Sequence, residues 1–299
     1  MKQFLKTWML PISMLGGVFF HSWIGYIKFL TPYLIFIMLT VTYTRISPKE
    51  FSIKRFHWIL LLVQMIGGWS IYFLLYNFSP IIAQGGFLCF FICTATSAPV
   101  ITGMLGGSIA KIAVYSFLTN FTLAVCAPLF LSYISGDASS MSFYDSFMKI
   151  GAEVVPLLTF PIIVALVLRY SFQSLNRKIA THQSISFYLW SVALFIVVGN
   201  SVSFIIKQPV KEVWEMIGLA IVSLFACCIQ FYLGRIIGKH YGDPIAGAQG
   251  LGQKNTILAI WLALSYLNPI ISVAPATYVG WQNIINSTQL YRKAKKAKI

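Results

Sequence analysis

The chain has 299 residues, 58% of them hydrophobic and 10% charged, with a mean hydropathy of +0.78. A soluble domain carries about 25% charged residues, and seven carboxylates cannot solvate a surface of this size, so lipid is the expected solvent for most of the chain. The net charge of +15 would suggest nucleic acid in a soluble protein, but the placement of the charges along this chain assigns them to membrane orientation, and no nucleic-acid partner is expected.

In chain order, Met1 to Phe20 carry Lys2, Lys6 and an apolar run but no small-x-small cleavage site, so they read as a first span and not as a cleaved signal. A bilayer core of about 30 Å takes roughly 20 apolar residues per helix. That length fits ten segments: 4–23, 27–45, 57–77, 81–105, 109–134, 147–171, 184–206, 212–236, 242–266 and 269–291. Cys89, Cys93, Cys126, Cys227 and Cys228 all fall inside apolar stretches and read as small buried hydrophobes. Trp8, Trp23, Trp58 and Trp190 stand near segment ends, as interfacial aromatic belts do.

The connecting segments test this count. With the N-terminus inside, sixteen basic residues are cytoplasmic: Lys2, Lys6, Arg45, Lys49, Lys54, Arg55, Arg169, Arg177, Lys178, Arg235, Lys239, Arg292, Lys293, Lys295, Lys296 and Lys298. Four lie outside, Lys28, Lys149, Lys207 and Lys211, in company with Asp137, Asp145, Glu212 and Glu153. This asymmetry follows the positive-inside rule. It predicts a multi-pass protein of the plasma (inner) membrane with both termini cytoplasmic, whose tail also touches anionic lipid. The four histidines, His21, His57, His182 and His240, fall at segment ends or loops beside no catalytic partner.

Ten segments divide into five and five. An odd number per half inverts the second half, which predicts two inverted five-helix repeats, 1–140 and 141–299 with a short basic tail. The halves share one oddity: the fourth and ninth segments are polar and interrupted. The fourth contains Cys93-Thr94-Ala95-Thr96-Ser97-Ala98-Pro99-Val100-Ile101-Thr102-Gly103, where Pro99 removes an amide donor and disfavours helix at Ala98. The ninth contains Ala248-Gln249-Gly250-Leu251-Gly252-Gln253-Lys254-Asn255-Thr256, with two glycines and a cation at mid-depth. Non-helical backbone at that depth survives only where protein or a watery cavity surrounds it, and in carriers such breaks form the substrate site.

At these residues the sequence resembles the bile acid:sodium symporter family. Thr96 to Ser108 matches the family's G-T-A-S-N-V-M-T segment with Thr96 and Thr102 retained. Gln249 to Thr256 matches E-V-G-M-Q-N-S with Gln253 retained, and Trp281-Gln282-Asn283-Ile284 is close to W-H-N-I. The resemblance implies an all-α fold of ten helices. Segments 1, 2, 6 and 7 would form a panel and the rest a core, with segments 4 and 9 crossing at their unwound centres. It also implies a substrate site at Thr96, Ser97, Thr102, Lys254, Asn255, Gln282 and Asn283, and a cation site at Gln64, Ser116, Gln249, Gln253 and Lys254, with sodium at Gln64, Gln249 and Gln253.

The departures from the family pattern are informative. Its Ser-Asn pair becomes Ala98-Pro99, a hydroxyl becomes Ile112, and its acidic residue becomes Gln249, while Gln253, Gln64 and Ser116 remain. A hard cation wants an oxygen shell with compensating negative charge. Lys254 stands where the family has Asn and could serve as a tethered cation in place of sodium, attracting the anionic group of a substrate; the alternative is a lysine that snorkels to the interface. Sodium and protons both remain open as coupling ions, and no cofactor is expected. Lys111 reads as an interface anchor, Asn120 and Asn200 as helix-to-helix amides, and Glu153 as solvated.

The expected function is alternating-access transport of a small amphipathic organic anion, bile acid-like or a carboxylate, by a monomer or weak homodimer. The alternatives are a sodium-coupled bile acid symporter on the residual site residues, or a sensor without transport on the same fold. An enzyme is not expected: there is no H-E-x-x-H, no G-x-S-x-G and no intramembrane Asp pair.

Overall fold

A computed structural model describes residues 12–44, 52–95, 97–135, 142–181, 184–206 and 212–296. The fold is all-α, with no strand among the described residues. In chain order the helices are α1 (12–19), α2 (His21–Ile24), α3 (Thr31–Tyr43, preceded by a 3-10 turn at Lys28–Leu30), α4 (Arg55–Tyr76), α5 (Pro80–Phe91), α6 (Ala98–Leu105) and α7 (Ile109–Ser135). After these come α8 (Phe143–Ser171), α9 (Gln173–Thr181), α10 (Ser184–Ile205), α11 (Val213–His240), α12 (Pro244–Gly252), α13 (Thr256–Tyr266) and, after a 3-10 turn at Pro269–Ser272, α14 (Val273–Lys296).

Four of these, α4, α7, α8 and α11, are long and apolar enough to cross a membrane; the shorter apolar helices include Lys28–Tyr43, Pro80–Phe91 and Thr256–Tyr266. Long helices poor in charge, bearing exposed Leu62, Ile66, Leu74, Val125 and Phe225, need lipid to cover them. Two elements depart from the sequence expectation. The link after 171 holds an additional helix, α9. The fourth segment breaks earlier than its proline suggests: α5 ends at Phe91, and Pro99 sits in the first turn of α6, where its missing amide has no helical partner to lose.

The chain divides into two compact units. Unit 1 comprises Met1–Arg45, Ala124–Glu212 and Ile260–Ser272. Among its described residues α3 packs on α8 and α10, and α10 on α2. Gly17 and Gly199 let α1 and α10 approach closely, since a Cβ on Gly17 would strike the carbonyl of Phe195. Arg169 Nη2 donates to the carbonyl of Thr44 at 3.1 Å, tying α8 to the end of α3. Glu153 is not merely solvated, because Tyr266 donates its hydroxyl to it at 2.6 Å.

Unit 2 comprises Ile46–Leu123, Val213–Ala259 and Val273–Ile299. Here α4 pairs with α5 and α11 with α12. The second pair depends on glycine: a Cβ on Gly234, Gly238 or Gly247 would collide with the facing backbone. A core of Phe56, Leu60, Ala98, Ile112, Tyr115, Ala246 and Leu251 fills the space between α4, α6, α7 and α12. At one end of the unit His57 caps α4. Its Nδ1 accepts from the Lys54 amide at 2.8 Å, so Nε2 carries the proton and donates to the carbonyl of Lys111 at 3.2 Å.

Candidate functional site: the crossover of two interrupted helices

Both breaks lie in unit 2, and the half-helices that lead into them start alike. α5 follows Ser79 with Pro80 at its first position, and α12 follows Asp243 with Pro244 there; each capping side chain accepts from the amide three residues on. Asp243 does more, because its second oxygen accepts from the amide of Ser108 at 2.9 Å and stands 3.9 Å from Lys111 Nζ. Lys111 also donates to the carbonyl of Tyr241 at 3.4 Å and lies over the Phe56 ring, so its contacts here anchor α7 to protein.

The two breaks meet. Thr94 and Lys254 form an antiparallel bridge, flanked by the amide of Ala95 donating to the carbonyl of Gln253 and the amide of Asn255 donating to the carbonyl of Cys93, each at 2.9 Å. Two extended stretches thus satisfy one another where burial excludes water. Thr94 donates its hydroxyl to the carbonyl of Gly250 at 2.9 Å and its amide to the Thr119 hydroxyl oxygen at 3.2 Å. The ninth-segment glycines serve close approach here. Gly252 lies against the Phe231 ring, and Gly250 against Leu60 and Tyr115.

An α-helix ends with four carbonyls that lack helical partners and a partial charge near −0.5. At the C-terminal end of α5 side chains take all of them. Gln230 Nε2 donates to the carbonyl of Cys89 at 3.1 Å, and Lys254 Nζ to those of Phe90 at 2.9 Å and Ile92 at 3.1 Å. Gln64 Nε2 donates to those of Phe91 at 3.0 Å and Ile92 at 3.1 Å. Lys254 is 1% exposed, and no carboxylate among the described residues lies within ion-pair distance of it. Its ammonium therefore does not snorkel; it stands at the negative end of a half-helix. Tyr115 fixes the Gln64 amide by donating to Oε1 at 2.9 Å.

The expected site residues separate into those brought together and those that are not. Lys254 donates its amide to Gln282 Oε1 at 3.0 Å, and Ser97, at the start of α6, accepts from Gln253 Nε2 at 3.3 Å. Asn255 turns its side chain to its own helix, accepting from the amide of Leu258, and so caps α13. Thr102 is buried on α6 with Oγ1 unpartnered among the described residues. Asn283 is half-buried one residue beyond Gln282. Thr96 lies outside the described residues. Asn120 stays local, donating to the carbonyl of Ser116 at 2.7 Å on its own helix.

The sodium-type oxygens fit a cation poorly. Gln64 Oε1 already accepts from Tyr115, and Gln253 Oε1 from Asn286. Among the described residues Gln249 Oε1 and Ser116 Oγ are buried without a hydrogen-bond partner, and no carboxylate joins them.

Sequence reasoning passed over three members of this network. Gln230 sits mid-way along α11 and also donates to Tyr278 at 3.1 Å; Tyr278 in turn donates to the carbonyl of Gly252 at 2.9 Å, so one relay reaches the ends of both α5 and α12. Asn286 accepts from Gln249 Nε2 at 2.8 Å. For Gln230 the signal was present, a single amide in an otherwise apolar run, where leaving it unpaired is costly; Asn286 is masked by the polar residues around it, Gln282, Asn283, Ser287, Thr288 and Gln289.

The fold and site thus define an all-α membrane protein in which two interrupted helices meet around a buried lysine. No protein-family model matches the chain, and no curated protein matches it in sequence. The likeness to the symporter family rests on the motif residues alone.

Proposed function

We propose that the protein is a secondary carrier for a small amphipathic organic anion, bile acid-like or a carboxylate, in which Lys254 takes the place of a bound cation. The observation that carries this reading is the position of its ammonium: buried, with no carboxylate in reach among the described residues, on the carbonyls that close α5, beside the bridge that joins the two breaks. A cation held there stabilises the crossing of two extended segments and leaves a net positive charge that an anion entering the site would offset.

In this reading the chain crosses the inner membrane ten times as two inverted five-helix repeats, 1–140 and 141–299, with both termini cytoplasmic. It acts by alternating access as a monomer or weak homodimer. The grouping of segments 1, 2, 6 and 7 into unit 1, with the second halves of α7 and α13, supports a panel; the remaining segments in unit 2 support a core.

The test is uptake into proteoliposomes in sodium-free buffer, wild type beside Lys254→Met. Wild-type uptake is expected without sodium, and the variant is expected to lose it by at least tenfold. Strict sodium dependence of the wild type would refute the substitution of lysine for sodium. The second reading, a sodium-coupled bile acid symporter, is favoured by the two unpartnered oxygens of Gln249 and Ser116. A thermal-shift screen against bile acids and small carboxylates, with and without sodium, finds the substrate class, because a ligand stabilises the state it binds. A molecule that binds these anions yet shows no counterflow would be a sensor.

A further inference from the structure

Three buried amides join α12 to α14. Gln249 lies on α12, Gln253 caps its C-terminal end one turn later, and Asn286 lies on α14, all within unit 2. The three residues are 0%, 0% and 3% exposed. Gln249 Nε2 donates to Asn286 Oδ1 at 2.8 Å, Asn286 Nδ2 donates to Gln253 Oε1 at 2.5 Å, and Gln253 Nε2 donates to Ser97 Oγ at 3.3 Å. Every link runs the same way, so an N–H fills each gap between neighbouring side chains. Asn286 is the middle member, donor to one glutamine and acceptor from the other. Reversing the whole chain of amides would preserve that role.

A sodium ion needs the opposite arrangement, several oxygens turned to one point with negative charge among them. Here Asn286 Oδ1, Gln253 Oε1 and Ser97 Oγ each accept an amide hydrogen. Only Gln249 Oε1 in this chain of amides has no hydrogen-bond partner among the described residues. The compensating charge is missing as well. Asp243, the one buried carboxylate among the described residues, stands six residues before Gln249, about 9 Å along α12. It is committed there to the amides of Ala246 and Ser108.

We infer that Asn286 is the residue that closes this site to sodium. Its amide joins α12 to α14 by neutral hydrogen bonds in the place where an ion would join them, so the two helices hold together without a metal. The determinant is a single group. Asn286→Asp keeps the size of the side chain and the acceptor for Gln249 Nε2, but it puts an oxygen where the N–H faces Gln253 Oε1 and adds a negative charge. Two oxygens then oppose one another with no hydrogen between them, in a place from which water is excluded. A cation relieves both the opposed contact and the buried charge. The inference bears on the coupling ion of the proposed carrier, but it concerns ion binding alone and does not depend on transport.

The experiment is thermal unfolding of the purified full chain in detergent, with sodium chloride exchanged for choline chloride at constant ionic strength. A pH of about 8.5 keeps a carboxyl proton from competing with the ion. Wild type is expected to melt alike in both salts. Asn286→Asp is expected to melt higher in sodium, by about 3 °C once the ion reaches roughly ten times its Kd. Adding Gln253→Leu to Asn286→Asp removes a second oxygen and should abolish the response. Asn286→Leu, which opens the chain of amides without adding charge, should show none. A wild type stabilised by sodium overturns the inference without reference to any variant. An Asn286→Asp protein that unfolds alike in both salts overturns it too, as does a response that survives the loss of Gln253. Failure of the carrier reading appears elsewhere, as absent counterflow in wild type, and leaves these melting curves unchanged.

Discussion

At the scale of single residues, the end of α5 offers the sharpest test. Gln64 is the donor to the carbonyl of Phe91 and the acceptor for Tyr115. In Gln64→Leu both groups would be left buried and unpaired, at about 1–3 kcal/mol each. We expect the variant to unfold more easily by about 3 kcal/mol in detergent, measured by chemical denaturation; a loss under 1 kcal/mol would mean that the cap is not made. Gly106 is the second test. It closes α6 with φ +91°, and a Cβ there would stand 3.1 Å from Lys293 Nζ, which donates to the carbonyl of Met104. Gly106→Ala should cost about 1–2 kcal/mol through left-handed strain, and Gly106→Asn distinctly less, since Asn tolerates that region. Thermal unfolding of both variants checks the order.

Elements raise a different question, why two spans break where they do. The prolines begin half-helices instead of ending them. Pro80, Pro99 and Pro244 all occupy first-turn positions, and the breaks fall after Phe91 and Gly252, where no proline stands. What holds the breaks open is tertiary: the bridge between Thr94 and Lys254, and the side chains on the carbonyls of α5. Asp243 belongs to this scale because it starts α12 and holds the entry to α7 through Ser108. Asp243→Ala should remove an N-cap and a charge-assisted hydrogen bond together, about 2–3 kcal/mol. Asp243→Asn should restore most of the cap but not the pairing with Lys111. A melting series across the three proteins reads this, and equal stability of wild type and the Ala variant would contradict it.

For the whole molecule, the basic residues predict a single orientation. A cysteine introduced at Lys298 in a background lacking the native exposed thiol at Cys228 is expected to react with an impermeant maleimide only after the membrane is permeabilised. Labelling in intact cells would place the tail outside and invert the assignment. The division into two units adds a structural point. Neither unit is a continuous stretch: each takes three separate pieces of chain, and α7 and α13 each contribute to both. Contact grouping and the halves 1–140 and 141–299 are therefore different partitions of one chain, the first arising from packing and the second from an expected repeat.

Much of this was legible beforehand. Hydropathy and charge sufficed for an all-α membrane protein, because lipid imposes length and apolarity on any spanning helix and leaves few other solutions. The interruption of the fourth and ninth segments was also visible in their threonines, glutamines and lysine. α9 was not foreseen because nine residues lie below the length on which a span count is built. The partners of Lys254 were beyond the sequence altogether. Phe90 and Ile92 offer it only backbone carbonyls, and every residue has one. Gln230, 24 positions before it, gives no local sign of serving the same helix end. Composition and periodicity determined by themselves the solvent of this protein and where its helices weaken. Which polar groups satisfy one another across those weak points was decided only by tertiary structure, since such pairings depend on distance in space, and a linear order of residues does not contain it.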